Sequence, residues 1–122
     1  MNIIKGLCCP LDKEKRNKWL NQLDMEYKLI SEQSKDLANF FKIFSHPSRI
    51  AILLMLKQRD HCVEEIVRKL KAPRSTVSHH IGILRKNNLI NIKKHSFHTY
   101  YTLTEYGMEI LKSLFSFRFF SK

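Results

Sequence analysis

At Asn87-Asn88 the spacing of apolar residues changes from helical to alternating, and few folds accommodate that change in so short a chain. Before it, Val77, Ile81 and Leu84 recur at i, i+4 and i+7, the stripe that seats a helix on a core. After it, Leu89, Ile90 and Ile92 lead into Lys93-Lys94-His95-Ser96. Phe97, Thr99, Tyr101 and Leu103 then alternate with His98, Tyr100 and Thr102. That period of two around a polar segment predicts a β-hairpin with a basic tip. A chain of 122 residues holds one modest core, so helix and hairpin must share a domain.

The helix before the change, Arg74 to Lys86, has an unusual second face. Ser75, Ser78, His79, Gly82 and Arg85 lie opposite the apolar stripe: short donors, an imidazole, a residue without a side chain and a guanidinium, with no carboxylate among them. A major groove accepts a helix whose outward residues donate to phosphates and base edges at close approach. Charge supports that partner. The formal net charge is +11, yet residues 1–44 are nearly balanced, with eight Lys or Arg against six Asp or Glu. From Ile66 through Thr104, 39 residues, there is no acidic residue. The same stretch carries Arg68, Lys69, Lys71, Arg74, Arg85, Lys86, Lys93 and Lys94. Such a segment is a polyanion footprint. An anionic membrane would also attract it, but the apolar sides of these helices are needed for the core, which leaves no inserting face. Nucleic acid is the expected partner.

The remaining segments fit around that pair. Residues 1–11, broken by Gly6 and Pro10, read as a flexible arm. Asp12 is placed to cap a helix running to about Ile30, with Glu14 in its first turn and Trp19 or Leu20, Leu23, Tyr27 and Ile30 on its apolar side. A second helix is expected from about Ser34 to Phe44, with Leu37, Phe40, Phe41 and Phe44 as core candidates. Ser45-His46-Pro47 stops that helix and starts another, Pro47 to about Lys57, rich in Ile50, Ile52, Leu53, Leu54 and Leu56. A polar connection, Gln58 to His61, leads to a short helix from about Cys62 to Leu70, and Lys71-Ala72-Pro73 turns into the Arg74–Lys86 helix. Two short helices around a tight turn, the second polar outward, make a helix-turn-helix. With a basic hairpin behind it, the expected fold is mainly α with a small β-hairpin, a winged helix-turn-helix spanning 12–122. Thr104 caps a last helix, expected over 104–120, striped by Ile110, Leu111, Leu114 and Phe115. Phe117, Phe119 and Phe120 are more apolar surface than so small a domain buries alone, and a homodimer through the helices at about 12–44 and 104–120 accounts for it.

In register over about residues 37–104, Ser45-His-Pro-Ser-Arg-Ile-Ala-Ile-Leu53, Cys62-Val-Glu-Glu-Ile66, Ser75-Thr-Val-Ser-His-His-Ile81, Leu84-Arg-Lys-Asn-Asn-Leu-Ile90 and Tyr100-Tyr-Thr-Leu103 resemble the ArsR/SmtB family of winged-helix transcriptional regulators. The segment Leu103 to Gly107 also recurs in other winged-helix families and speaks for the fold more than the family. The resemblance implies a homodimer, held by its first and last helices, that binds double-stranded DNA at a palindromic operator. Members commonly repress transcription and let go of DNA when a metal or metalloid binds. The chain departs from the family pattern at three places. Lys71 stands where the turn usually has Gly, Pro73 stands where a Ser cap is usual, and the Cys-Val-Cys of metal-sensing members reads Cys62-Val63-Glu64.

The chain has three cysteines, Cys8, Cys9 and Cys62. In a cytoplasmic protein these are thiols rather than disulfides. Three thiolates suit As(III) or Sb(III), and His61, Asp60 or Glu64 would extend the set to a four-coordinate site for Zn(II) or Cd(II). Some members similarly bring N-terminal cysteines to the retained cysteine position. Two other readings stand beside this one: a redox-responsive thiol, and an inert pair of features in which Cys62 packs as a small apolar residue while Cys8-Cys9 is a loose tail. The family's second metal site, on the last helix, has no counterpart, because that helix offers Glu105 and Glu109 but no histidine. His79-His80 reads as one outward and one partly buried imidazole rather than a metal pair, since neighbours on a helix diverge by about 100°.

Together these features predict a sequence-specific DNA-binding regulator, a homodimeric repressor, and no enzyme: no Gly-rich phosphate loop, carboxylate pair or nucleophile elbow occurs. The expected DNA-binding set is Arg74, Ser75, Thr76, Ser78, His79 and Arg85 on the helix with Lys93, Lys94 and His95 on the hairpin. No run of about 18 apolar residues suggests a membrane span, and the first ten residues lack the apolar core of a secretory signal, so the expected location is the cytoplasm. The alternatives are a non-specific nucleoid or RNA-binding module and a winged-helix protein-interaction module that uses the Phe-rich tail.

Overall fold

A computed structural model describes residues 9–117. Cys8, Phe119 and Phe120 lie outside the described residues. The elements follow the order α1 (Lys13–Ile43), α2 (Pro47–Gln58), β1 (His61–Cys62), α3 (Val63–Leu70), α4 (Arg74–Lys86), β2 (Ile90–His95), β3 (His98–Leu103) and α5 (Glu105–Phe115). Contacts divide the chain into two units, Met1–Phe40 and Phe41–Lys122.

The first unit consists mainly of α1. Its start behaves as the sequence predicts: the Asp12 carboxylate accepts from Lys15 N at 3.2 Å, and Asp12 O accepts from Arg16 N. The expected break between Ile30 and Ser34 is absent, and one 31-residue helix runs through. No Gly or Pro stands there to interrupt it, and the Ser34 hydroxyl turns back to donate to Ile30 O at 2.7 Å, inside the helical ladder. Leu20, Leu23, Tyr27, Ile30 and Leu37 are exposed along one side.

In the second unit the core is built from α2, α3, α4, the sheet and α5. Ile52, Leu53, Ile66, Val77, Leu84, Leu89 and Leu111 are fully buried, joined by Leu56, Ile81 and Ile90. Each such side chain contributes about 1.5–3 kcal/mol relative to exposure. The helix-turn-helix sits on this core as expected: Val77, Ile81 and Leu84 bury the inner face of α4. The turn before it has a cost. Lys71 adopts φ 52° and ψ 41°, the left-handed cap position, while its N–H bonds Val67 O at 2.9 Å. A side chain there costs about 1–2 kcal/mol of backbone strain that glycine would avoid. Pro73 occupies the cap position itself rather than the first helical residue, and no side chain caps α4.

The hairpin pairs Ile90 with Leu103 through His95 with His98. It gains a third strand that the sequence did not announce, because β1 is only two residues long. His61 pairs with Tyr101 and Cys62 with Tyr100, giving an antiparallel sheet in the order β1-β3-β2. Phe97, read from its alternation as a strand residue, instead falls in the turn between His95 and His98 and is fully exposed.

The hairpin base is held by one hydroxyl. Thr104 Oγ1 donates to Asn88 O at 2.6 Å and accepts from Gly107 N at 2.9 Å, so it caps α5 and ties α5 to the α4–β2 connection. A Cβ on Gly107 would overlap Leu89 O and lie 2.8 Å from Leu103 Cδ1, which makes glycine a packing requirement.

Candidate nucleic-acid interface

Every member of the expected DNA-binding set is exposed: Arg74, Ser75, Thr76, Ser78, His79 and Arg85 along α4, and Lys93, Lys94 and His95 along β2. The divided fate of the two adjacent histidines also follows expectation, with His79 outside and His80 buried. Gly82 lies on the outer face of α4 with nothing within 4 Å of where a Cβ would stand. A helix-interior glycine costs about 1 kcal/mol relative to alanine, and at Gly82 no packing neighbour among the described residues requires it. Beside it opens a cavity of about 400 Å³ lined by Gly82, Arg85, Lys86 and Asn91 among others, so a basic groove runs from the helix to the hairpin base.

Two carboxylates reach this surface from outside the acid-free stretch. Glu64, at the start of α3, pairs with Arg74. Asp60 lies 3.9 Å from Lys93 Nζ. Both pairs are solvent-exposed and weak by nature. Arg74 was expected to face phosphate and Glu64 to extend a metal site; the structure brings the two together.

Beneath the outer face lies a polar contact that the sequence reading missed. Arg49, on the first turn of α2, is only 7% exposed. Its Nε donates to His80 Nδ1 at 3.1 Å, and its Nη1 reaches Ile43 O at 3.5 Å. A ring nitrogen that accepts cannot carry a proton, so His80 is neutral with its hydrogen on Nε2. Burial, then the charges of Arg49, His46 and His79, hold the His80 imidazolium below its ordinary pKa of 6.5. The signal was present: Arg49, Ile52, Leu53 and Leu56 occupy i, i+3, i+4 and i+7, so the inward stripe of α2 begins on an arginine.

The expected metal ligands have other surroundings or partners, each within its own unit. Cys9 is exposed and Cys62 half-buried. His61 is buried with Nδ1 2.8 Å from Arg59 O. Neighbouring Glu65 accepts from Cys62 N at 3.1 Å and pairs with Arg59 at 2.6 Å. Those contacts, the Arg59 guanidinium first, lower its pKa to about 2. With Glu64 engaged by Arg74 and Asp60 near Lys93, no three His, Cys, Asp or Glu side chains among the described residues form a group able to hold a metal ion. Cys8, the remaining expected ligand, lies outside the described residues. Among those residues no helix is long and apolar enough to cross a membrane either.

A helix-turn-helix on a small core, a flanking basic hairpin and an exposed helix face free of acidic residues define a winged-helix DNA-binding protein. A profile described as "Bacterial regulatory protein, arsR family" matches residues 46–91. An uncharacterized HTH-type transcriptional regulator of Methanocaldococcus jannaschii is 35% identical over 83 residues, covering 66% of this chain and 93% of that one. A transcriptional repressor SmtB homolog of Synechocystis is 30% identical over 74 residues, covering 61% and 56% respectively. The crystal structure of a transcriptional regulator, HlyU from Vibrio vulnificus, superposes with a TM-score of 0.58 at 29% identity, covering 75% of this chain and 96% of that one. The chain belongs to the ArsR family of transcriptional regulators, which bind DNA and are not enzymes.

Proposed function

We propose that the chain is a homodimeric repressor that places α4 in the major groove of a palindromic operator. The observation that carries this reading is the exposed face of α4, where Ser75, Ser78 and His79 flank the open Gly82. Ser75, Ser78 and His79 lead the contacts to base edges, Arg74, Arg85, Lys93 and Lys94 mainly neutralise phosphates, and Thr76 and His95 complete the DNA-binding set. The uncapped start of α4 adds free backbone N–H donors beside them. Repression is favoured by the Synechocystis relative's designation as a repressor, and the dimer by the apolar side of α1. In this reading the helices at about 12–44 and 104–120 are the dimerisation elements, residues 1–11 an arm, and the cytoplasm the place of action.

Selection from a random duplex pool tests specificity. A repressor enriches one palindrome and prefers it by about a thousandfold over bulk DNA, whereas a non-specific module enriches none. Ser78→Ala or His79→Ala is expected to lose about 1–3 kcal/mol on the operator and little on random DNA; equal losses on both would remove the base-reading role. In a promoter fusion, expression must fall when the protein is supplied, and a rise would overturn repression.

Any response to a soft ion or an oxidant rests on Cys8, Cys9 and Cys62, the chain's three thiols. As(III), Zn(II) or Cd(II) titrated into reduced protein is expected to give thiolate charge-transfer absorption and weaker DNA binding, with both lost in Cys62→Ser. Absorption and binding that ignore all three ions would leave thiol oxidation or inert cysteines, which DNA binding by the oxidised protein separates.

A further inference from the structure

The tip of the hairpin holds a residue that the fold does not use. The His95–His98 pair closes the ladder, so Ser96 and Phe97 are the two turn residues. Phe97 is 100% exposed, more than any other exposed large apolar residue among those described. Ser96 takes φ 59°, the left-handed region that a tight hairpin turn ordinarily fills with Gly or Asn. Ser96 holds a backbone conformation that is costly for a residue with a side chain, and Phe97 buries no surface there, so neither contributes to the stability of the turn.

The surroundings of the exposed ring identify its ligand. The third strand ends at Cys62 opposite Tyr100, so the last two rungs, Lys94–Thr99 and His95–His98, project beyond it with the turn. Lys94, His95 and His98 lie on those projecting rungs, Lys93 follows one rung behind in a weak, exposed pair with Asp60, and no acidic residue occurs from Ile66 through Thr104. A protein-docking Phe is usually set in an apolar patch, but this one is ringed by donors and cations. A minor groove is about 6 Å wide, too narrow for a helix but open to a tip, with phosphates along both rims. Many proteins that enter it insert Phe, Leu, Ile, Met or Pro between base steps, alongside polar and basic side chains that read the groove.

We propose that Phe97 is a minor-groove wedge, inserting its ring at a base step on the outer flank of the operator while Lys93 and Lys94 hold the bordering phosphates. The inference rests on the DNA-binding reading above and adds a specificity element to it. The wedge unstacks the step it meets, so it favours flexible TA or CA/TG steps over stiff A-tracts at positions α4 does not touch.

The test uses the full chain and the duplex that it enriches from a random pool, with 2-aminopurine at successive flanking positions. Wild-type protein is expected to raise the probe's fluorescence at one flanking step per half-site, by unstacking it. Phe97→Ala should abolish that rise and weaken binding about tenfold with the salt slope unchanged, while Phe97→Leu retains part of both. Replacing the flanking step with an A-tract should weaken wild type but not Phe97→Ala. Lys93→Ala/Lys94→Ala should instead flatten the salt slope. Fluorescence that never rises with wild type, or Phe97→Ala that binds and unstacks like wild type, overturns the wedge while leaving operator binding intact. The same holds if Phe97→Ala affects only association with another protein. A pool from which wild type enriches nothing overturns the operator reading and the wedge with it. Because Phe97 packs against nothing, its circular dichroism control should match wild type.

Discussion

Two glycines, one beside open space and one tightly packed, make different predictions. Gly82→Ala fills open space, so it is expected to stabilise the protein by about 0.5–1 kcal/mol. Its operator affinity should fall all the same, because the methyl stands where α4 must approach DNA. A variant stabilised in thermal melts with undiminished affinity would mean that this face is not docked closely. Gly107→Ala should instead be clearly destabilising, since Leu89 O is backbone and cannot turn aside. Lys71→Gly should gain about 1 kcal/mol in a denaturant melt by relieving the left-handed cap. His80 carries a pH prediction. The unfolded chain takes up its proton near 6.5 while the folded chain resists until a lower pH. Stability is therefore full above 6.5 and declines as the pH falls through it toward the folded value. His80→Gln, whose amide oxygen still accepts from Arg49, should flatten that part of a melting-temperature profile, and an unchanged slope would acquit the imidazole. At lower pH the Glu65 contribution, present above its ordinary 4.5, is lost toward about 2.

At the scale of elements, the sequence was most informative where burial and period coincide. The inner stripe of α4, the hairpin and the capped starts of α1 and α5 were legible because each rests on side chains spaced to one face. The continuity of α1 was not, since Ser31 to Gln33 is merely polar and polarity does not end a helix without Gly, Pro or a competing cap. The strand β1 was illegible for another reason: its two residues form a strand only because Tyr100 and Tyr101 of β3 offer them an edge. Ion pairs between elements were equally hidden, Glu64 with Arg74 above all. That pair makes its own prediction. Glu64→Gln releases a guanidinium at the start of α4, so affinity should rise for all sequences and the salt dependence steepen by about one unit. An unchanged slope would mean that Arg74 meets no phosphate.

At the scale of the molecule, a 31-residue α1 extends about 46 Å, longer than a domain of this size needs for its own core. Its exposed Leu20, Leu23, Tyr27 and Ile30 recur at helical spacing. Sedimentation of wild type at micromolar concentration should give a dimer, and Leu23→Glu/Tyr27→Glu should give a folded monomer with much weaker operator binding. A wild-type monomer would remove the palindrome from the reading.

The hydroxyl of Thr104 has a mechanical consequence. Because it grips Asn88 O while capping α5, the last helix and the root of the hairpin are clamped at a shared pivot. The six residues of β2 make an arm about 20 Å long, so a tilt of roughly 5° at the pivot swings its end by about 2 Å. A small rotation at that root is thereby geared up at the basic tip of the hairpin.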